Sequence, residues 1–221
     1  MQAWSKWRVT EFLRPSEAAA LVNVVNSEND RLLLRTLWET GGRPGEVVRL
    51  TPEHIDLNNH CILLYNFKQH KRKTPTSPKL PAPLKRIYLF PESTLCSDLL
   101  EYCKVSHINP GEWVFPSRTN GSKPFNPVTL WRLVTKISAK LGIRYVKKDT
   151  RTGEYQNKPA WPNLFRHGNA QHILHRVGRL DIVQAQLGHS SISSTQVYAS
   201  LSDLDRKRAI RDSSPGENDG M

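Results

Sequence analysis

The chain has 221 residues, a formal net charge of +12 and a pI near 9.8. Hydrophobic residues make up 38% and charged residues 24%, which supplies one buried core and excludes wholesale disorder. No run is apolar enough to cross a bilayer, and the opening MQAWSKWRVTEF lacks the hydrophobic stretch of a signal peptide, so the expectation is a cytoplasmic protein with no membrane partner.

In chain order, PSEAAALVNVVN (residues 15–26) reads as a short helix with Ser16 as cap. DRLLLRTLWET (30–40) carries Leu33, Leu34, Leu37 and Trp38 at helical spacing, and Gly41-Gly42 ends it. PGEVVRL (44–50) opens another short helix on Pro44, and 53–59 reads as a turn. CILLYNF (61–67) reads as a strand and KRIYLF (85–90) as its partner, joined by a basic, proline-rich connection that is long for a hairpin. Residues 93–106 read as a helix, and WVFPSRTNGSKPF (113–125) as strand and turn. The next helix, 127–141, places Leu130, Leu133, Val134, Ile137 and Leu141 on one face.

Residues 142–162 read as a polar loop that could form a hairpin around Thr152-Gly153. Two more helices are expected over 164–177, with Ala170, Ile173, Leu174 and Val177 inward, and over 180–187, stopped by Gly188. Ser193-x-x-Gln196 has the form of a capping box opening a helix that holds Tyr198. The tail from Asp212 has a disordered composition. The fold class is mainly α with a small antiparallel β-sheet.

Cys61, Cys96 and Cys103 are odd in number and form no CxxC pair, so reduced buried thiols are expected rather than a disulfide scaffold or zinc site. The basic charge is clustered. Residues 61–90 hold Lys68, Lys71, Arg72, Lys73, Lys79, Lys85 and Arg86 with no Asp or Glu, and 132–151 contain Asp149 as their one acid. Such clusters suit a polyanion. Nucleic acid is favoured over a membrane surface because no basic amphipathic helix with bulky apolar anchors accompanies them.

Four residues invite a chemical reading. Arg43 lies between two apolar helical stretches with Glu46 three residues on. A buried arginine needs an anionic partner, and Glu46 could orient it while a phosphate takes its bidentate face. Arg166 shares the inward stripe of Ala170, which makes it either an arginine snorkelling from the core edge or a second guanidinium on the same anion. His189, after Gly188, is a surface residue, a helix-end cap or a site residue. Tyr198 lies one position, about 100° around the axis, from the stripe of Val197, Leu201 and Leu204, so it is not an automatic core residue. His172 and His175 could share a face, but further ligands are not nearby, and no metal is expected. There is no P-loop and no acidic metal cluster.

In order, GGRPGEVVRL, FKQHKRK, NLFRHGNAQHIL and QLGHSSISSTQVY resemble the motifs of the tyrosine recombinase catalytic domain, the phage integrase family. VFPSRTNGSKPFNPVTLWRLVTKISAKLGI is similar to its connecting segment, and the resemblance covers residues 12–205. It implies that Arg43 and Arg166 clamp the scissile phosphate, that Glu46 supports the first arginine, that His189 is the second-histidine position and that Tyr198 is the nucleophile. The hairpin lysine of the family is matched best by Lys68, with Lys71 and Lys73 close by. Where the family usually has His, sometimes Lys, three residues before the second arginine, this chain has Asn163. An amide can donate to a phosphate oxygen but exchanges no proton near pH 7. His167 is then a candidate helper. Lys71, Arg72, Lys73, Lys79, Lys147 and Lys148 are implied DNA-backbone contacts.

The implied function is site-specific recombination, or integration, of double-stranded DNA through a covalent 3′-phosphotyrosyl intermediate, with no metal, ATP or other cofactor. The implied setting is a homo-oligomer, a tetramer on DNA, in the nucleoid of a cell carrying a mobile element, with an accessory DNA-binding protein as a further partner. Residues 1–211 are expected to form the catalytic domain and 212–221 a tail. The short stretch before the first helix holds no N-terminal core-binding domain, so the chain resembles single-domain members such as the fimbrial phase-variation recombinases, or is a fragment. Leu201, Leu204 and Ile210, beyond or beside the tyrosine, could pack on a neighbouring subunit or on their own. Two other functions share these residues: a cleavage-deficient DNA-binding regulator, which Asn163 favours, and a type IB topoisomerase-like enzyme.

Overall fold

A computed structural model describes residues 12–66, 84–148, 152–153 and 155–188, excluding the side chains of 146–148 and 155. Three helices come first: α1 (Pro15–Asn23), α2 (Glu28–Thr40) and α3 (Pro44–Val47). A 3-10 turn at Pro52–His54 leads to β1 (Ile55–Asp56), β2 (Cys61–Tyr65) and β3 (Leu84–Tyr88). Then follow α4 (Leu95–Val105), α5 (Pro127–Lys140), β4 (Arg144–Lys148), β5 (Tyr155–Pro159), α6 (Asn163–Val177) and α7 (Leu180–Leu187). The chain is mainly helical, as its periodicity predicts.

The central helix is α2. Ser27 caps it, its hydroxyl accepting from the Asp30 amide at 3.4 Å, and the helix starts at Glu28, two residues before the stretch expected from sequence. Leu32, Leu33, Leu34 and Leu37 are buried, each contributing about 1.5–3 kcal/mol. Around them pack Leu21 of α1, Leu99 of α4, Val134 of α5 and Phe165 of α6, together with Phe115 and Phe125. The helix stops at Gly41 in the left-handed region, φ 57°. The buried Thr40 hydroxyl donates back to the Thr36 carbonyl and accepts from the Gly42 amide at 3.0 Å, which fixes the start of the turn.

The sheet is antiparallel in the order β1-β2-β3. Ile62 faces Ile87 and Leu64 faces Lys85. Exposure alternates along β3, so Lys85 and Ile87 share the inward side. Gln186 of α7 covers the outer edge of β3: it accepts from the Tyr88 amide at 3.3 Å and donates to the Tyr88 carbonyl. A small second core of Ala170, Ile173, Val183 and Leu187, with Phe90 against it, fastens α7 to α6. This packing brings the end of α7 over the inward face of β3.

Several sequence expectations need correction. Of the two readings of 142–162, the hairpin holds: Arg144–Lys148 pairs antiparallel with Tyr155–Pro159, with Arg144 opposite Pro159. Its anchor is Tyr145, which is buried and donates to Glu17 at 2.7 Å. The turn over 53–59 contains the two-residue strand β1. Helix α1 ends at Asn23, and its first residue is Pro15, with Arg14 rather than Ser16 in the cap position. Leu141 and Val177 are each 38% exposed rather than inward, because both stand at helix ends where the chain leaves the core. Cys61, Cys96 and Cys103 are buried free thiols, as expected. Among the described residues, no helix is long and apolar enough to cross a membrane.

Candidate active site

Arg43 is the cap residue of α3, in extended conformation, and Pro44 sets the first turn after it. That turn folds Glu46 back onto Arg43. One oxygen of Glu46, Oε1, accepts from Arg43 Nη1 at 2.8 Å, and the other, Oε2, accepts from the Arg43 amide at 3.0 Å. The same Oε2 accepts from Lys85 Nζ at 2.7 Å. The Glu46 side chain is 2% exposed and that of Lys85 is 8% exposed, so this is a buried ion pair, whereas Arg43 at 21% keeps a solvent-facing side.

Arg166 comes to the same place from α6. It is buried, and its guanidinium donates to the Gly41 carbonyl at 2.7 Å and to the Leu187 carbonyl at 2.9 Å. Lys85 Nζ also reaches the Leu187 carbonyl, at 3.4 Å. A continuous polar chain therefore runs from the end of α2, through Arg166 and the end of α7, to Lys85, Glu46 and Arg43. Among the described residues it holds three cations, Arg43, Lys85 and Arg166, and the carboxylate of Glu46. The excess positive charge, anchored by carbonyls and backbone rather than free to move, suits an anion.

Two glycines permit this closeness. A Cβ on Gly41 would stand 2.5 Å from Asn169 Oδ1 and 2.9 Å from Leu187 Cδ2. Gly188 ends α7 at φ 66°, and a Cβ there would stand 3.0 Å from Lys85 Cδ. Burial pushes the Lys85 ammonium down to about 8; Glu46 opposes that shift, and Arg166 and Arg43 add to it. Burial works against ionised Glu46, but the Lys85 charge and the Arg43 hydrogen bonds outweigh it and hold the carboxyl below its ordinary range. Burial, and then Arg166, push the His167 imidazole below its ordinary value, so it is mostly neutral at pH 7.

Of the residues expected from sequence, Arg43, Glu46 and Arg166 come together. Asn163 is exposed in the first turn of α6, three residues before Arg166, a spacing that puts both toward one side of the helix. His167 is half-buried beside Arg166 in sequence. Lys68, Lys71, Arg72, Lys73, Lys79, His189, Tyr198, Leu201, Leu204 and Ile210 lie outside the described residues. Lys147 and Lys148 lie on β4, without described side chains. His172 packs against Trp38 and Phe90, with ring centroids 5.8 Å and 5.5 Å away.

Sequence reasoning missed Lys85, which it grouped with the basic hairpin. The available signal was parity: Lys85 lies in phase with Ile87 and Leu89 on a strand whose other positions, Leu84, Arg86 and Tyr88, are exposed.

Residues 11–204 match the model of the phage integrase family. The tyrosine recombinase XerA of Pyrococcus horikoshii is 25% identical over 198 residues, covering 90% of this chain and 59% of that protein. A resolvase of Escherichia coli is 28% identical over 200 residues, covering 88% of this chain and 75% of that protein. In fold, the chain is similar to the crystal structure of XerA recombinase, with a TM-score of 0.68 at 22% identity over 92% of this chain and 65% of that one. It is similar also to XerH recombinase bound to its difH substrate, with a TM-score of 0.63 at 20% identity over 91% of this chain and 53% of that one. The chain thus spans about three-fifths of the length of the XerA recombinases it matches. With the match running from residue 11 to residue 204, most of its length, the chain belongs to the phage integrase family.

Proposed function

We propose that this chain carries out the strand cleavage and rejoining of a site-specific DNA recombinase. The observation that carries the reading is the pairing of Arg43 and Arg166 around one fixed polar cluster, two guanidiniums held by Glu46 and by the Gly41 and Leu187 carbonyls. Phosphodiester transfer spreads negative charge over the non-bridging oxygens, and preorganised cations stabilise that charge without reorganising.

In this mechanism the Tyr198 hydroxyl oxygen attacks phosphorus. The P–O5′ bond breaks, and a 3′-phosphotyrosyl bond forms. The tyrosine proton passes to a neighbouring base or to water. Lys68, or Lys71 or Lys73, gives a proton to the departing 5′ oxygen. Arg43, Arg166 and His189 hold the phosphate oxygens, and Asn163 donates a hydrogen bond to them. Rejoining reverses the steps with a 5′ hydroxyl of another strand, so the bond's free energy is conserved. His167, next to Arg166 in the chain and pushed below its ordinary value by burial, is a candidate to exchange a proton in place of Asn163.

Double-stranded DNA is the proposed partner, in keeping with the basic stretches and with the DNA carried by XerH and by a lambda integrase dimer in their crystals. Lys71, Arg72, Lys73, Lys79, Lys147 and Lys148 would track the backbone. Cleavage would occur in a homo-oligomer, a tetramer on DNA, on the nucleoid. Asn163 favours one second reading, a DNA-binding regulator that cleaves poorly.

The test is covalent. A pool of duplexes with randomised sequence carries one nick, so that the short 5′-hydroxyl fragment diffuses away after cleavage and the enzyme stays trapped. The recombinase reading expects denaturant-stable adducts that converge on one sequence. DNA binding without adducts would favour the regulator, and adducts with no sequence preference would favour a topoisomerase-like activity.

A further inference from the structure

We propose that Lys85 is a positioning residue of the phosphate site, which holds Glu46 and the end of α7 in one fixed spacing. The inference rests on the reading of Arg43 and Arg166 as a phosphate clamp.

Lys85 stands opposite Leu64 in the sheet, at a position where an apolar side chain would pack without desolvating a charge. Instead it carries an ammonium inward to Glu46 Oε2 at 2.7 Å and to the Leu187 carbonyl at 3.4 Å. Neither partner belongs to the sheet. Glu46 orients Arg43, and Leu187 receives Arg166 and stands two residues before His189. One side chain thereby bridges the carboxylate that orients Arg43 and the carbonyl that receives Arg166. Gly188 fits closely over its stem, because a Cβ there would lie 3.0 Å from Lys85 Cδ.

The consequence for Arg43 follows from the two oxygens of Glu46. Lys85 and the Arg43 amide share Oε2, so Glu46 offers Nη1 of Arg43 a single oxygen, Oε1. Without Lys85 only the Arg43 amide would hold Oε2, and the carboxylate would be free to turn toward a two-oxygen fork with the guanidinium, drawing its donors away from a phosphate. The downward push on the Lys85 ammonium by burial, Arg166 and Arg43, against the opposing Glu46, agrees with a position facing all three.

The experiment compares the whole chain with Lys85→Met, Lys85→Arg and the double variant Lys85→Met/Glu46→Gln, which leaves no unpaired buried carboxylate if the single change fails to fold. Two quantities are measured: the affinity for inorganic orthovanadate, a phosphate-like probe that needs no tyrosine attack, and the rate of adduct formation on the nicked duplex pool. Residues that orient groups around a reacting centre typically contribute about 10–100-fold, so Lys85→Met should lose at least about tenfold in both, with Lys85→Arg recovering most of the loss. The double variant should fold and remain weak in vanadate binding. Lys85→Met within about twofold of the parent in both would overturn the inference, as would a double variant restored to parental vanadate affinity, which would reduce Lys85 to a counter-charge. Vanadate affinity lost in Lys85→Met while even the parent forms no adduct would uphold the role of Lys85 and refute the recombinase reading instead.

Discussion

Exchanging Glu46 for glutamine keeps the side chain's shape and removes its charge. Its two oxygens accept from the Arg43 amide at 3.0 Å, Arg43 Nη1 at 2.8 Å and Lys85 Nζ at 2.7 Å. Glutamine has one accepting oxygen, and its NH₂ would face a cation. Either Arg43 or Lys85 then loses its partner. Removing one member of a buried pair costs about 3–5 kcal/mol, and the low end applies because Arg43 can turn partly to water. Urea unfolding at pH 7 would show this as a midpoint lower by about 1 M or more at an unchanged slope of about 2–3 kcal/mol/M. The gap depends on pH. Glu46 has a lowered folded pKa, so its contribution is full above the unfolded value of 4.5 and fades as pH falls through the folded value. The gap also narrows above about 8, where Lys85 gives up its proton and no longer needs a counter-charge. A loss below about 1 kcal/mol at pH 7, or a gap that does not change with acid, would refute the reasoning.

Gly41→Ala places a methyl 2.5 Å from Asn169 Oδ1 at a residue with φ 57°. Left-handed backbone costs about 1–2 kcal/mol and overpacking about 1–3, so calorimetry should show a melting point lower by roughly 5–15 °C, while Gly121→Ala, with open space around it and no left-handed backbone, should lose much less. Asn163→His installs a proton-exchanging group one turn before Arg166, and single-turnover adduct formation should rise by about tenfold or more with DNA affinity unchanged; an unchanged rate would show that another group already serves. Cys61, Cys96 and Cys103 are buried, and burial pushes Cys96 and Cys103 up to about 11, so a thiol reagent should label none of the three in the native protein and all of them in urea.

The parts of the fold legible in the sequence are those with a strong period. The leucines of α2 and the Gly-Gly stop after it, the apolar face of α5, and α7 with its Gly188 end all follow from spacing alone. The β4–β5 hairpin is legible only as an option around Thr152-Gly153, because YQNKP carries almost no apolar alternation and the anchor, Tyr145, finds its partner Glu17 far away in the chain. For the site, the turn GGRPGE placed Arg43 and Glu46 because both sit within one local turn. Arg166 could be placed on an inward stripe, but its acceptors at Gly41 and Leu187 depend on how α6 packs. Lys85 was obscured by the charge cluster around it: composition suggests a solvated hairpin, whereas strand parity turns this one lysine inward to a carboxylate from another turn.

The most direct test of the central claim compares the parent, Tyr198→Phe and Arg43→Ala on the nicked duplex pool, scoring denaturant-stable adducts beside DNA binding. The account predicts adducts with the parent, none with Tyr198→Phe, and a rate reduced by about 10²–10³ with Arg43→Ala, while all three bind DNA. Adducts that persist in Tyr198→Phe, or DNA bound by the parent with no adduct on any member of the pool, would contradict it.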